Sequence, residues 1–333
     1  MILCLCPNAG VDRTYEVENF GLGQYHHPRR SRVVSGGKGI NVARALRTLG
    51  AKVAITGFAG GLAARFIEQE MNALDAHPAF VHIAEESRVC INIIDRTSRA
   101  QTQVDEVGPL VTPSEVDTLL RRWPRMIARA KLAILSGSLP RGVALDLYAE
   151  LTEACHAAHV PVMVDARDDV LRRVLPARPT VVKHNIFEME RLMGRQLSIP
   201  EGLVEAMKEI LAQGVETVVI TLGKQGALGA NGAGEVYWVT PPEIDYVGGV
   251  GSGDAFTAGF ATAIVQGRGL ADRLRWATAA GAANATSLGA CLFEREEVQK
   301  CLVGVKVQSL TEAPAPPSET PEEASTGGDQ SAE

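Results

Sequence analysis

The sequence predicts an α/β fold with a central, mostly parallel sheet flanked by helices and a small β-sheet beside it. Three observations carry that expectation. From about residue 112 onward, short apolar strands alternate with amphipathic helices, as successive βαβ units require. Two patches, 11–34 and 80–106, break that alternation with short stretches of mixed polarity. The 333 residues are 46% hydrophobic and 22% charged, a balance that lets a chain of this length bury a sizeable core without staples.

In order along the chain, residues 2–6 form an apolar first strand. From Gly39 the period changes: Ile40, Ala43, Leu46 and Leu49 recur at helical spacing, and Gly50 is a stop signal. Residues 53–56 read as a buried strand. Helix 113–129 leads to strand 132–135, helix 144–158 to strand 160–164, strand 180–182 to a short helix 186–193, and helix 202–213 to strand 217–221. The patches 11–34 and 80–106 read as one small sheet, a candidate lid on a single domain of residues 1–310. Residues 311–333 are rich in Pro, Glu, Ser and Ala without large apolar side chains, and are expected to be disordered.

Charge and cysteine usage exclude several classes. The formal net charge is -6, and Arg29, Arg30 and Arg32 are the one local basic cluster, which argues against nucleic acid as a partner. An acidic protein can still hold an anion in a local pocket. None of the six cysteines forms C-x-x-C; Cys4 and Cys6 share one face of the first strand and read as small core residues rather than metal ligands. The start MILCLC has no basic segment, and no window approaches ~18 uninterrupted apolar residues. The expectation is a cytoplasmic protein with reduced thiols and no membrane partner.

Five segments carry chemistry. In GGVGSGDAFTAGF (248–260), glycines precede Asp254, and Phe256, Phe260 and Ile264 then mark one apolar helix face. Glycines let backbone N–H groups approach an anion, and a helix N-terminus adds partial positive charge. Asp254 reads either as a functional carboxylate or as an ordinary N-cap. SGGKGINV (35–42) offers Gly36 and Gly37 for close approach, Lys38 as a point charge and Asn41 as a hydroxyl partner, or else a glycine turn with a surface lysine. NAGVD (8–12) and KHNIFE (183–188) follow strands, where open α/β sheets bind ligands. Asn185 and Glu188 can hold a magnesium ion through waters, or cap a helix. TLGKQG (221–226) lines a nucleotide pocket or makes a hairpin turn. G-x-x-x-x-G-K-[ST] is absent, and no G-x-G-x-x-G occurs in the 248–260 run.

Together NAGVD (8–12), GGKGINVARAL (36–46), SGSLPRG (136–142), KHNIFEMERLMG (183–194), TLGKQGAL (221–228) and VGSGDAFTAGF (250–260) resemble the ribokinase-like (pfkB) carbohydrate kinases, within them the 1-phosphofructokinase and tagatose-6-phosphate kinase branch. The resemblance covers roughly 1–302. It implies ATP-dependent phosphorylation, with Mg²⁺, of a ketohexose phosphate to its bisphosphate. It implies that Asp254 takes the hydroxyl proton and that the N–H groups of Gly251, Ser252 and Gly253 hold the transferred phosphoryl. It assigns Asp12, Gly36, Gly37, Asn41 and Ser138 to the sugar, and Lys38 with Arg88 to its phosphate. Lys183, Asn185, Thr221, Gly223, Gly226 and Asn284 would serve the nucleotide, Asn284 near the adenine, while Asn185 and Glu188 would order Mg²⁺ and its waters. The chain departs from the family pattern at NAGVD, which lacks the turn proline, at KHN in place of K-P-N, and at His27, where relatives carry Arg before the glycine pair. The rivals are a kinase of an unphosphorylated sugar or nucleoside, a non-catalytic sensor and a dinucleotide oxidoreductase. Lys38 with Arg88 speaks against the first, Asp254 in its glycine loop against the second, and the missing Rossmann fingerprint against the third. The lid's strand edges suit a homodimer.

Overall fold

A computed structural model describes residues 1–311, so the expectation for the tail lies, apart from Thr311, outside the described residues. The chain runs β1 (Ile2–Cys6), β2 (Gly10–Val17), β3 (Arg30–Gly36), α1 (Lys38–Thr48), β4 (Val53–Gly60), α2 (Gly61–Ala73), β5 (Ala76–Pro78), β6 (Val81–Ile83), β7 (Arg88–Asp95) and β8 (Gln101–Asp105). It continues through α3 (Pro113–Ile127), β9 (Leu132–Ser136), α4 (Leu147–Ala157), β10 (Val162–Asp165), α5 (Asp168–Val174), β11 (Val181–Asn185), α6 (Ile186–Met193), α7 (Glu201–Leu211) and β12 (Thr217–Thr221). It closes with β13 (Ala227–Asn231), β14 (Val236–Thr240), α8 (Ser252–Val265), α9 (Leu270–Ala285), α10 (Arg295–Gly304) and β15 (Lys306–Ser309).

The main sheet runs β15-β14-β13-β12-β11-β10-β9-β1-β4-β5, with β6 paired to the far end of β4. From β12 to β5 the pairs are parallel, as the alternation predicts. Strands β13, β14 and β15 extend it antiparallel, a feature absent from the sequence reading. Side chains alternate across β1: Leu3 and Leu5 enter one core layer, Cys4 and Cys6 the other. The first layer meets α3, α4 and α7; the second meets α1, α8 and α9. Each fully buried Leu or Ile contributes about 1.5–3 kcal/mol of transfer free energy. Cys4 and Cys6 are thus core residues, and burial pushes the Cys6 thiol up to about 11.

The second sheet has the order β3-β2-β7-β8, with β2 and β7 parallel and the outer pairs antiparallel. It is the expected lid with two corrections. Residues 81–83 leave it for the main sheet, because their side chains alternate into the core at Val81 and Ile83. The segment between β2 and β3 is a loop, stopped by Gly21, Gly23 and Pro28. Thr311, the last described residue, bonds Val236 through its hydroxyl across the sheet edge.

Candidate active site

The chemistry-bearing segments converge beyond the carboxyl ends of the parallel strands, where the backbone leaves the sheet. Gly251 opens α8 in the left-handed region, φ +83°, and a side chain there would strike Ala290. The Ser252 N–H donates to the Gly249 carbonyl (3.1 Å) and the Asp254 N–H to Gly251 (3.0 Å). The N–H groups of Gly251 and Gly253 have no acceptor among the described residues. Two open donors, not the expected three, therefore face the positive end of α8, because a turn consumes Ser252.

Asp254 is the third residue of α8 and does not cap it; Gly251 is the N-cap. Its buried carboxylate accepts from Asn41 Nδ2 at 2.9 Å. Asn41 can point only that way, because Arg44 Nη1 donates to its Oδ1 at 3.1 Å. Arg44 is itself buried and anchored on Ser35 (2.7 Å to the carbonyl) and Ala290 (3.2 Å). The sequence reading missed Arg44; its place three residues after Asn41, on one face of α1, was the available signal. Burial pushes Asp254 up to about 6 and Asp165 adds to the rise, while Lys38, the Asn41 hydrogen bond and Lys183 draw it down. Such a carboxyl is largely ionised at neutral pH yet basic enough to take a proton.

Asp165, at the end of β10, is the larger omission. It is fully buried, and accepts from Lys38 Nζ (2.8 Å) and Lys183 Nζ (2.7 Å). The Thr257 hydroxyl of α8 lies 3.4 Å from it and gives its one proton to the nearer Gly253 carbonyl at 3.0 Å. Burial alone would raise this carboxyl; the two ammonium groups overcome it and hold the group far below the carboxylate range. Lys38 is lowered by burial and raised more by Asp165 and Asp254, so it stays charged.

A second group of residues lies on the lid. Asp12, Cys90 and Asp105 form one rung across β2, β7 and β8. Asp12 stands directly over Gly36, where any side chain would overlap its carboxylate. Burial raises Asp12, and the charges of Arg88 and Arg44 draw it back. Arg88 Nε donates to the Asn8 carbonyl (3.3 Å), and Asn8 Nδ2 to Ser138 Oγ (3.3 Å). Arg88 and Arg141, with Glu85, Glu86 and Glu106, line a cavity of about 390 Å³. The two cations expected at the substrate's phosphate have separate partners: the Lys38 ammonium is held on Asp165, and Arg88, on the lid, donates to the Asn8 carbonyl.

The remaining expectations are placed as follows. Asn185 pairs in register with Thr221, which brings the β11 and β12 ends together. Gly223 and Gly226 bound the turn into β13. Asn185 and Glu188 cap each other on α6, Oδ1 accepting from the Glu188 N–H (2.9 Å) and Oε2 from the Asn185 N–H (3.0 Å). Asn284 is fully buried and spent on the glycine loop: Nδ2 donates to Val250 (2.9 Å) and Ser252 Oγ (3.0 Å), and Oδ1 accepts from Cys291 (2.7 Å). Asn284 thus braces the glycine loop that precedes Asp254. His184, in KHN, is wholly buried, and burial holds it down at about 3. His27 sits in the exposed β2–β3 loop, edge-on to Tyr25.

The model of the pfkB family carbohydrate kinases matches residues 8–296. Phosphofructokinase-2 from Escherichia coli in complex with fructose-6-phosphate superimposes with a TM-score of 0.84 at 25% identity, over 91% of this chain and 98% of that one. A protein of Thermotoga maritima described as a possible 1-phosphofructokinase gives 0.83 at 25% identity, over 93% and 99%. Ribokinase of Arabidopsis thaliana, complexed with ribose and ATP, gives 0.73 at 21% identity, over 90% and 98%, a likeness of fold.

Proposed function

The chain belongs to the pfkB family of carbohydrate kinases, and from that premise we propose that it transfers the γ-phosphoryl group of ATP to a hydroxyl of a phosphorylated ketohexose: fructose 1-phosphate, fructose 6-phosphate or tagatose 6-phosphate. The observation that carries the chemistry is Asp254, buried beside two open glycine N–H groups, aimed by Asn41 and titrating near neutrality.

The sugar lies between Asp12, Gly36, Gly37 and Asn41. Its own phosphate meets Arg88, a cation beside Asp12. Asp254 accepts the hydroxyl proton as the bond to phosphorus forms. Gly251 and Gly253 hold the charge of the transferred group at the helix N-terminus, with the ammonium of Lys183 beside Gly253. Thr221, Gly223 and Gly226 border the nucleotide. Among the described residues no group of three or more His, Cys, Asp or Glu side chains is placed to hold a metal ion. The buried Glu188, with one oxygen outside its capping bond, suits Mg²⁺ carried largely by waters and substrate phosphates. When bound, that ion neutralises phosphate charge; Asn185 and Glu188 orient its waters.

The test is a panel with ATP and Mg²⁺: the three ketose phosphates, fructose and ribose. The reading expects kcat/KM for at least one ketose phosphate to exceed that for fructose and ribose by at least about a hundredfold, two charge-assisted hydrogen bonds' worth. Preference for an unphosphorylated sugar overturns it.

A further inference from the structure

A buried carboxylate with two ammonium partners is costly to assemble, since each ion gives up its water. Asp165 is such a group. It accepts from Lys38 of α1 at 2.8 Å and from Lys183 of β11 at 2.7 Å, one oxygen for each. The Thr257 hydroxyl of α8, one turn after Asp254, lies 3.4 Å from it. The two lysines differ in exposure: the Lys38 side chain is 27% exposed, that of Lys183 5%. Segments that meet nowhere in sequence thus converge on one side chain beside the helix that carries Asp254.

We propose that Asp165 is a positioning residue: it holds the ammonium groups of Lys38 and Lys183 on its two oxygens and thereby sets the charge that Asp254 faces. The inference rests on the kinase reading of the site but not on which sugar is the acceptor. Charged and titratable groups face Asp254 from every side: Lys38 on α1, Cys6 on β1, Asp165 on β10, Lys183 on β11, and Cys291 in the loop after α9. Cys6 and Cys291 are buried thiols whose pKa burial raises, so they stay neutral at working pH. The net influence on Asp254 is set by Asp165 against the two lysines. Without the carboxylate, Lys38 is free to swing toward Asp254, and the repulsion from Asp165 disappears as well. Both changes make Asp254 a weaker base, and both misplace the ammonium groups.

The test compares Asp165→Asn, which removes the charge, with Asp165→Glu, which keeps it but displaces the oxygens by about one bond. Steady-state rates are read with ATP and whichever sugar or sugar phosphate of the panel the parent enzyme turns over fastest. A wrong acceptor class is therefore detected in the parent and leaves this comparison intact. Asp165→Asn is expected to lower kcat at least about thirtyfold, with both KM values within about threefold. The acidic limb of its kcat profile should move down by about one pH unit, the scale of losing a neighbouring charge. Asp165→Glu should lower kcat at least about tenfold and leave the limb in place. Lys38→Met should move the limb the opposite way, upward. If Asp165→Asn does not fold, Asp165→Glu decides: kcat within threefold of the parent overturns the proposal. So does an Asp165→Asn enzyme whose limb stays put, since a purely structural carboxylate leaves the titration of Asp254 unchanged.

Discussion

Around Asp254 the side chains are already paired, and all but Lys38 are buried: Asn41 on Asp254, Arg44 on Asn41, Lys38 and Lys183 on Asp165. On the lid, Asp12 and Arg88 are half-buried, Asp105 is exposed, and β8 is exposed along its whole length. Its outer face shows Val33 and Val104 to solvent. On the proposed function the contrast separates two tasks. Groups that meet developing charge must be oriented before the reaction, because reorganising them during it raises the barrier. Groups that recognise the acceptor must let it enter, and so sit on a thin sheet of low local stability. The following expectations break or sharpen that division.

The largest effect belongs to Asp254→Asn. General-base loss costs about 10²–10⁴-fold in rate, so kcat should fall at least a hundredfold while ATP and sugar phosphate still bind. The melting temperature should hold or rise. Asp254 does not cap α8, and its pKa is raised on folding, so above about pH 6 its ionised form lowers stability, a cost Asn does not carry. A kcat within threefold of the parent removes Asp254 as base.

Next comes Arg88→Ala. A charge-assisted bond to phosphate is worth about 1.5–3 kcal/mol, so KM for the sugar phosphate should rise at least tenfold with KM for ATP nearly unchanged. Lys38→Met should act mainly on kcat, because the Lys38 ammonium is held on Asp165. Equal KM effects from both would restore a shared grip and erase the division between the regions.

The pH profile is milder. As pH falls through about 6, Asp254 takes up its proton and can no longer accept one, so kcat in the parent should reach half its plateau at about pH 6. A profile flat down to pH 5 would place the titrating group elsewhere.

The smallest effect on turnover is expected from the lid's outer face. Val33, Ile91 and Val104 lie on one face across the strands, and a second copy of the chain is the proposed cover. Val104→Glu should halve the mass in sedimentation and change KM for the sugar phosphate by less than about threefold. A monomeric parent removes that proposal.

What the sequence determined by itself was local. The helix at 186–193 and the strand at 217–221 lie where periodicity puts them, since an amphipathic face or an apolar run is a property of neighbouring residues. The glycine loop before Asp254 and the Asn185–Glu188 pair were legible for the same reason: glycine freedom and capping act over a few residues. Helix α2, the short α5, α10 and strands β13 to β15 were not read; β13, with Ala, Leu, Gly, Ala and Asn, has little strand signal and is held by its partners. Tertiary structure alone decided that Lys38 meets Asp165 across 127 residues and Asn41 meets Asp254 across 213. It also spent the Asn284 amide on the loop. Each of those outcomes depends on which buried group can satisfy another once water is gone. Hydrogen-bonding demand of that kind is set by the packed interior and leaves no period in the chain.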